Sequence, residues 1–556
     1  MVICMAATAS AAPALVKLHD FNNSNPLVSP GPEAPNDSPL LIGSKLWFTT
    51  EKGGESGFGT LSSFDLETSA VHVWLSMDIS TGNSPKAAPT RDGDLLYITT
   101  LRGGTGDRGT LSVWDVASAT HQVLWNSPSN SPNTNPNSLW GDVAVIDRGG
   151  SAGKDIYFMT QNGGLGSAFG TIQRYQTLDG AVTQIHSFQG APDGKQPYKG
   201  FTMVGTDLYF TTFTGGLTGT GFAQGAGTLG KLDAATRGAE TVSQLAAMPS
   251  GDGSLRFGVH NPYYRQADHS LYFNLLGTST QSGALMKYDL TRGTLSTLHE
   301  IQSAPTANSF FPEGKLPYGR VAEWNRALYY TTIQGGNFGG GTINRYHLQT
   351  GQHEVLFHLD SDHAVNSANP FDNIGGEPRG GFVFNGSTES PAFYLLTRQG
   401  GNFDHGTILR LDLEAPLPPT AYEEWLTQFS GLAPGQTAPS ADPDGDGRSN
   451  RDEFAFGTPL DQGADGGGFT AVASPEGLEI RWNARTDGSV SYLVTTSTTL
   501  GGEGEPWSPV AAQSAVMLPP DVEPPSGYER RSIMVPIDST RAFFRVEAVI
   551  SSQSMP

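Results

Sequence analysis

One short unit, written seven times, constrains this chain more than any other feature. A strand of hydrophobic and aromatic residues recurs as "KLWFTT", "LLYITT", "DIYFMT", "DLYFTT", "SLYFNL", "ALYYTT" and "AFYLLT". The aligned aromatics are Trp47, Tyr97, Tyr157, Tyr209, Tyr272, Tyr329 and Tyr394, spaced 50, 60, 52, 63, 57 and 65 residues apart. A repeat of that period points to a propeller or a solenoid. A Gly-Gly turn follows the strand, as at Gly53-Gly54 and Gly335-Gly336, and then a "GT" strand such as "GTLSSFDL" or "GTINRYHL". The fifth copy is degenerate and reads "LLGTSTQSG". A fourth piece ("VTQIHSF", 182–188) follows, and a first one ("GFTMVG", 200–205) precedes the next aromatic strand. Four strands per unit is the content of a propeller blade. The expected fold is all-β: a seven-bladed β-propeller over residues 12–415.

The seventh unit stops after "GTILRLDLEAP" without its fourth strand, and "ALVKLHDF" at 14–21 matches the missing piece. The N-terminal strand is therefore expected to complete the last blade, which leaves no open edge between first and last. With 70 Gly, 37 Pro and only 16% charged residues, the composition suits short strands and tight loops. A net charge of −21 disfavours nucleic acid, whose phosphates reward Lys and Arg. Residues 1–11 are apolar or small and end in Ala9-Ser10-Ala11, the pattern of a signal peptide cut before Ala12, although a basic n-region is missing. Cys4, the one cysteine, falls within it, so disulfides and thiol chemistry are not expected in the mature chain. No apolar run reaches the length of a membrane span. The expected location is secreted or cell-surface.

The "LYxTTxxGGxxxxGT" units, clearest at 328–342, resemble the GloVer tandem-repeat family of bacterial exported proteins. The resemblance covers about residues 14–415. Family copies more often read "YGTT" where this chain has "YFTT", and the fifth unit departs further. The resemblance implies export. It implies no agreed enzymatic activity and therefore no catalytic residues.

Pro416, Pro418 and Pro419 mark a linker. "TAYEEWLTQFSGL" then places Tyr422, Trp425, Leu426, Phe429 and Leu432 on one helical face. The next segment, "DPDGDGRSNRDE", has the spacing of an EF-hand loop. Asp442, Asp444 and Asp446 stand at positions one, three and five, with Gly447 at the turn. Arg448 offers its carbonyl at seven, Asn450 stands at nine, and Glu453 is the carboxylate at twelve. Hard oxygen ligands at these offsets predict calcium as the cofactor. The flanking helices are too short and distant for a paired EF-hand, so the loop, within 416–466, resembles the calcium-binding linkers of secreted bacterial proteins. From 467 to 556, "GLEIRWNA", "SYLVTTS", "RSIMVPI" and "AFFRVEAVI" read as strands of an immunoglobulin-like β-sandwich.

The Gly-Gly loops and the long interblade loops are expected on one face, around the channel, where function usually resides. Pro-Tyr precedes the first strand three times, which makes Tyr198, Tyr263 and Tyr318 candidates for stacking on sugar rings, with Arg265, Arg320 and Arg379 gripping acidic groups. The alternative is that these tyrosines pack between repeats. His260, His363 and His405 are expected on the same face, as are Glu51, Asp107, Glu313, Asp362, Asp372, Glu377 and Asp404. No spacing selects a catalytic pair, and G-x-S-x-G is absent. The sequence thus points to a secreted, non-catalytic repeat protein binding a polysaccharide or cell-surface protein. A secreted carbohydrate-active enzyme, glycoside hydrolase or polysaccharide lyase, is the alternative.

Overall fold

In a computed structural model of the chain, the second threonine of each "TT" strand meets the threonine of the "GT" strand that follows. Their hydroxyl oxygens lie 2.8 Å apart in Thr50–Thr60, 2.9 Å in Thr100–Thr110 and 2.7 Å in Thr160–Thr171. The Thr212–Thr228, Thr332–Thr342 and Thr397–Thr407 pairs are each at 2.8 Å. All twelve side chains are buried. The first hydroxyl of each pair also contacts the carbonyl two residues on, for example Lys52, Arg102 and Gln334. Hydroxyl and turn are thus satisfied together, as buried polar groups require. In the fifth copy Leu275 and Ala284 occupy the two places, both fully buried. The hydroxyls are lost as a pair, so neither is left without a partner.

All residues are described except 1–11, 23–30, 129–134, 165–167, 217–225, 249–256, 259, 278–282, 302–310, 362–372, 434, 461–467, 476, 498–506, 511–515, 518–523, 536–542 and 556. The expected leader with Cys4, and His363, Asp362 and Asp372, lie outside them. The chain divides into two units. The first holds residues 1–264, 271–288 and 293–416, and the second 265–270, 289–292 and 417–556.

In the first unit, antiparallel sheets follow one another along the chain. The first runs Pro32–Pro35, Lys45–Gly53, Thr60–Asp65, Val71–Ser76, with Leu40–Ile42 also paired to the second strand. Among the described residues, six further sheets repeat the pattern; their second strands are Leu95–Thr99, Lys154–Thr160, Asp207–Thr214, Ser270–Leu276, Ala327–Gln334 and Ala392–Thr397. The second strands are buried on both faces, which is why they read as continuous apolar runs; the fourth strands are half-exposed. In the last sheet the fourth place is taken by Ala14–Asp20, which lies antiparallel to Thr407–Asp412 with Leu15 opposite Leu411.

Apolar clusters join neighbouring sheets. Trp47 and Leu61 pack with Leu96, Ile98 and Trp114. Tyr157 and Met159 pack with Leu208 and Phe210, and Tyr329 and Ile343 with Phe393 and Leu409. Leu46, Phe48 and Phe64 of the first sheet pack with Tyr394, Leu396 and Ile408 of the last. The unit is nearly all β, a succession of four- and five-stranded antiparallel sheets.

In the second unit, helix α1 (Ala421–Leu426) and helix α2 (Asn450–Phe456) each begin with a capping box, Thr420 with Glu423 and Ser449 with Asp452. Gly457 ends α2 in the left-handed conformation. Two antiparallel sheets follow, one led by Phe469–Ser474, Gly477–Arg485 and Tyr528–Val535, the other by Val490–Ser497 and Phe543–Ile550. They share a core of Ile480, Trp482, Val494 and Ile533. The helices pack through Tyr422, Trp425 and Phe454 onto Val490 and Ile550.

Candidate functional site

The first strand of each repeat is broken in the middle, and the residues at the break converge. Register shows the equivalence: Pro35 pairs with Thr50, Pro197 with Thr212, Gly258 with Leu275 and Pro317 with Thr332. The next residues leave the sheet, so that Asn36-Asp37, Tyr198-Lys199 and Tyr318-Gly319 hold like places in their units. Second-strand side chains fasten several of the breaks to the next repeat. Thr49 donates to the Ala87 carbonyl (2.6 Å), Thr99 to Gly141 (2.7 Å), Thr211 to His260 (3.0 Å) and Asn274 to Gly319 (2.9 Å).

Repeats distant in sequence meet here. Lys199 Nζ donates to Asp37 Oδ2 (2.8 Å), the Asn36 carbonyl (3.1 Å) and the Lys86 carbonyl (2.9 Å). His260 Nε2 lies 3.3 Å from Asp37 Oδ1, and Asn261 anchors the ring from its other nitrogen at 2.7 Å. The approach is so close that a Cβ on Gly141 would sit 1.4 Å from the Lys199 carbonyl oxygen, and one on Gly200 1.4 Å from Asp142 Oδ1. Burial would raise the Asp37 carboxyl, but Lys199 and His260 outweigh it and hold it well below the usual carboxylate range. Asp142 goes the other way. Burial, then the Asp37 charge, push it up to about 7 against Arg320 and Lys199, and its Oδ1 has no hydrogen-bond partner. Burial holds His260 below its ordinary value.

Beside this cluster lies a ring of side chains with two unlike arcs, half-buried except for Tyr318 and Lys86, which are buried. One is aromatic: Tyr198 packs on Trp140 (4.7 Å between ring centroids), on Phe213 (5.4 Å) and edge-on to Tyr318 (6.4 Å), and Phe213 stacks on Phe257 (4.5 Å). The other is charged. Glu51 pairs with Lys86 and with Arg398 (3.4 Å), and Glu377 with Arg398 (3.6 Å) and Arg379 (3.1 Å). Burial works against the charge of Glu51, yet Lys86 and Arg398 keep its carboxyl below the ordinary value. The arcs meet where Arg379 lies 5.9 Å over the Tyr318 ring and Lys86 5.4 Å over Trp140. The Nε atoms of Arg379 and Arg398 and the Trp140 Nε1 are buried without a partner.

Of the residues singled out by sequence, Tyr198, Tyr318 and Arg379 come together here. Tyr263 does not: its hydroxyl donates to Glu323 (3.1 Å) and its ring packs with Tyr272 and Leu328. The reason is register. Gly258, not Pro262, holds the place of Pro197, so Tyr263 aligns with Thr202 rather than Tyr198. His260 sits on Asp37 while His405 contacts Glu33 (3.5 Å), so the two histidines go to different partners. Asp107 and Asp404 accept from the Gly103 and Gly400 amides (2.8 and 2.9 Å), which fixes them as turn residues. Sequence reasoning missed Asp37, Lys86, Trp140, Asp142 and Lys199. The signal was available in the breaks themselves, "PND", "PKA", "LWGD", "PYKG", once aligned by the strand that follows each.

A separate constellation lies in the second unit. Asp442 accepts from the Gly445 and Gly447 amides (both 2.9 Å), Asp444 from Asp446 (3.2 Å) and Asp446 from Arg448 (2.8 Å). Asp442, Asp444 and Asp446 each offer an oxygen within 4.8 Å of the others. Glu453, on α2, is 1% exposed, and neither of its carboxyl oxygens has a hydrogen-bond partner. Asp444 Oδ2 and Asn450 Oδ1 are likewise buried and unpartnered. Asn450 is held by Nδ2 bonds to the Gln436 and Ala438 carbonyls (2.6 and 2.9 Å). Burial, then Asp444, Asp446 and Asp442, push Glu453 up to about 8. Tyr528 and Tyr492 bind the Phe454 and Ala455 carbonyls (2.6 and 2.5 Å), so the helix carrying Glu453 is fixed at its far end. This donor set fits a hard divalent cation.

Residues 34–263 match the model of the Gloeobacter/Verrucomicrobia repeat. No curated protein matches the sequence. Among solved structures, the chain is similar to an oligogalacturonate lyase in complex with manganese at 10% identity, over 73% of this chain and 95% of that one, with a TM-score of 0.44. It is similar to an oligogalacturonate lyase from Vibrio parahaemolyticus at 10% identity, over 72% and 96%, with a TM-score of 0.40. A nidogen/laminin complex matches at 11% identity, over 54% and 90%, with a TM-score of 0.33.

Proposed function

We propose that this chain is an exported, calcium-stabilised repeat protein. In this reading the sheets of the first unit form a closed seven-bladed propeller that binds a surface glycan or a cell-surface protein without cleaving it. The two-armed ring carries the reading. Half-buried aromatic faces at Trp140, Tyr198, Phe213 and Phe257 suit the C–H faces of a sugar, and the Arg379 and Arg398 guanidiniums suit its carboxylates or hydroxyls. Closure is supported by the packing of Phe48 and Phe64 against Leu396 and Ile408, and by Ala14–Asp20 lying beside Thr407–Asp412. Calcium is supported by the orphaned Glu453 oxygens: a buried carboxyl facing three aspartates is costly until a cation offsets it. Asp442, Asp444, Asp446, the Arg448 carbonyl, Asn450 and Glu453 would hold the ion, and the C-terminal sheets would form an immunoglobulin-like sandwich beside it. Export rests on the leader pattern and on the family. Among the described residues no helix is long and apolar enough to cross a membrane.

The experiment is a panel of neutral and acidic polysaccharides incubated with the protein in calcium, scored for pull-down and for newly released oligosaccharide ends. Capture without new ends is the expected result. One observation favours a second reading, a carbohydrate-active enzyme: Asp142 is pushed up to about 7 beside an Asp37 held low, a division of protonation that acid–base chemistry uses. New ends that disappear in Asp142→Asn would establish that reading instead.

A further inference from the structure

The fourth-strand position of His19, opposite Ile408, carries a histidine in two other repeats, at His186 opposite Ile172 and at His299, and in these two it meets a carboxylate. His186 Nε2 lies 3.0 Å from Asp193, and His299 Nε2 lies 3.1 Å from Glu313. The second of these pairs has an addition that the first lacks. His353, at the start of His353–Asp360 in the next sheet, stacks on His299 with ring centroids 4.0 Å apart and an interplanar angle of 17°. Its Nδ1 lies 3.7 Å from Glu313 Oε1. One ligand atom from each of His299, Glu313 and His353 lies within 4.8 Å of the other two. We propose that these three residues form a binding site for a divalent transition-metal ion of the zinc class, bridging the outer strands of two adjacent sheets.

Packing does not account for the cluster. The His353 side chain is 8% exposed, and its Nε2 is buried without a hydrogen-bond partner. The Tyr330 hydroxyl, fully buried and near enough to Glu313 to feel its charge, has no partner either, and its ring centroid is 6.0 Å from that of His353. Such groups cost free energy unless something satisfies them. Two imidazoles and one carboxylate are the donors of a borderline metal; calcium prefers oxygen throughout, which separates this cluster from the aspartate loop of the second unit. An ion at about 2.0–2.1 Å from each nitrogen requires the stacked rings to turn out of parallel as it enters. The His186–Asp193 pair, without a second imidazole, is the internal control.

The test uses the full chain stripped with chelator, then resupplied with calcium so that the aspartate loop is filled. Zinc is titrated calorimetrically, and cobalt is added as a spectroscopic probe. One zinc per chain is expected at this site, with a rise in melting temperature and visible cobalt bands of nitrogen–oxygen ligation. His353→Ala and Glu313→Gln are each expected to weaken zinc binding at least about tenfold, while His186→Ala binds as wild type. His299→Asn provides a second variant of similar volume should His353→Ala fold poorly, which circular dichroism would show. Zinc binding that survives both His353→Ala and His299→Asn, or no saturable zinc binding by the wild-type chain, overturns the proposal.

Discussion

The doubled threonine of the repeat is the plainest case of a single side chain explained by its partner. Thr100 and Thr110 share one hydrogen bond at 2.9 Å in a fully buried place, and the Thr110 amide also donates to the Thr100 hydroxyl (3.0 Å). Thr100→Val strands a buried donor or acceptor and is expected to cost about 1–3 kcal/mol in denaturant unfolding. Adding Thr110→Ala should cost less than the sum of the two single changes, because the fifth repeat lives with Leu275 and Ala284 in these places. Full additivity in that cycle would contradict the pairing. Asp142 gives the pH prediction. Its folded value, about 7, lies above its ordinary one, so the folded state binds the proton more tightly than the unfolded chain does. The stabilising contribution is fully present below about pH 4 and is lost as pH rises through about 7. Melting temperature should fall over that window more steeply in the wild type than in Asp142→Asn.

At the scale of elements, the second strands were legible because burial on both faces writes continuous apolar runs, and the glycine turns because the hairpin needs positive φ at Gly53 and Gly54. The breaks in the first strands were not legible as a site. Their chemistry changes from repeat to repeat, Asn36-Asp37 here and Tyr198-Lys199 there, and only pairing to the following strand shows that they are equivalent. Tyr263 shows the cost of reading a dipeptide without register: Pro-Tyr recurs in the sequence, but the fifth copy is displaced along its strand. The split of the last repeat between the two ends is a consequence of chain order, and Ala14–Asp20 does lie beside Thr407–Asp412. Deleting residues 12–21 should expose that edge, lower the melting temperature and promote aggregation, with a synthetic peptide of the deleted strand restoring the melting temperature. Unchanged melting on deletion would mean that the strand contributes nothing to the sheet.

For the whole molecule, the two units make separable predictions. Calcium at one hundred times its Kd should stabilise the second unit by about 2.7 kcal/mol. Hydrogen exchange after chelation should therefore speed up in the amides of residues 441–457 while those of the Thr100–Thr110 strand pair stay protected. Asp444→Ala should remove the calcium response altogether. Composition spoke only to class: acidity set nucleic acid aside, and nothing in it distinguished a ligand site from packing. The structure adds that repeats far apart in the chain meet at Lys199, Asp37 and His260. The measurement that tests the glycan-binding account most directly is calorimetric affinity for a captured polysaccharide in four proteins: wild type, Trp140→Ala, Arg379→Ala and Tyr263→Phe. The account predicts at least about tenfold weaker binding, or about 1.4 kcal/mol, for the Trp140 and Arg379 variants and wild-type affinity for Tyr263→Phe. Wild-type affinity in Trp140→Ala and Arg379→Ala would contradict it and place the binding surface elsewhere.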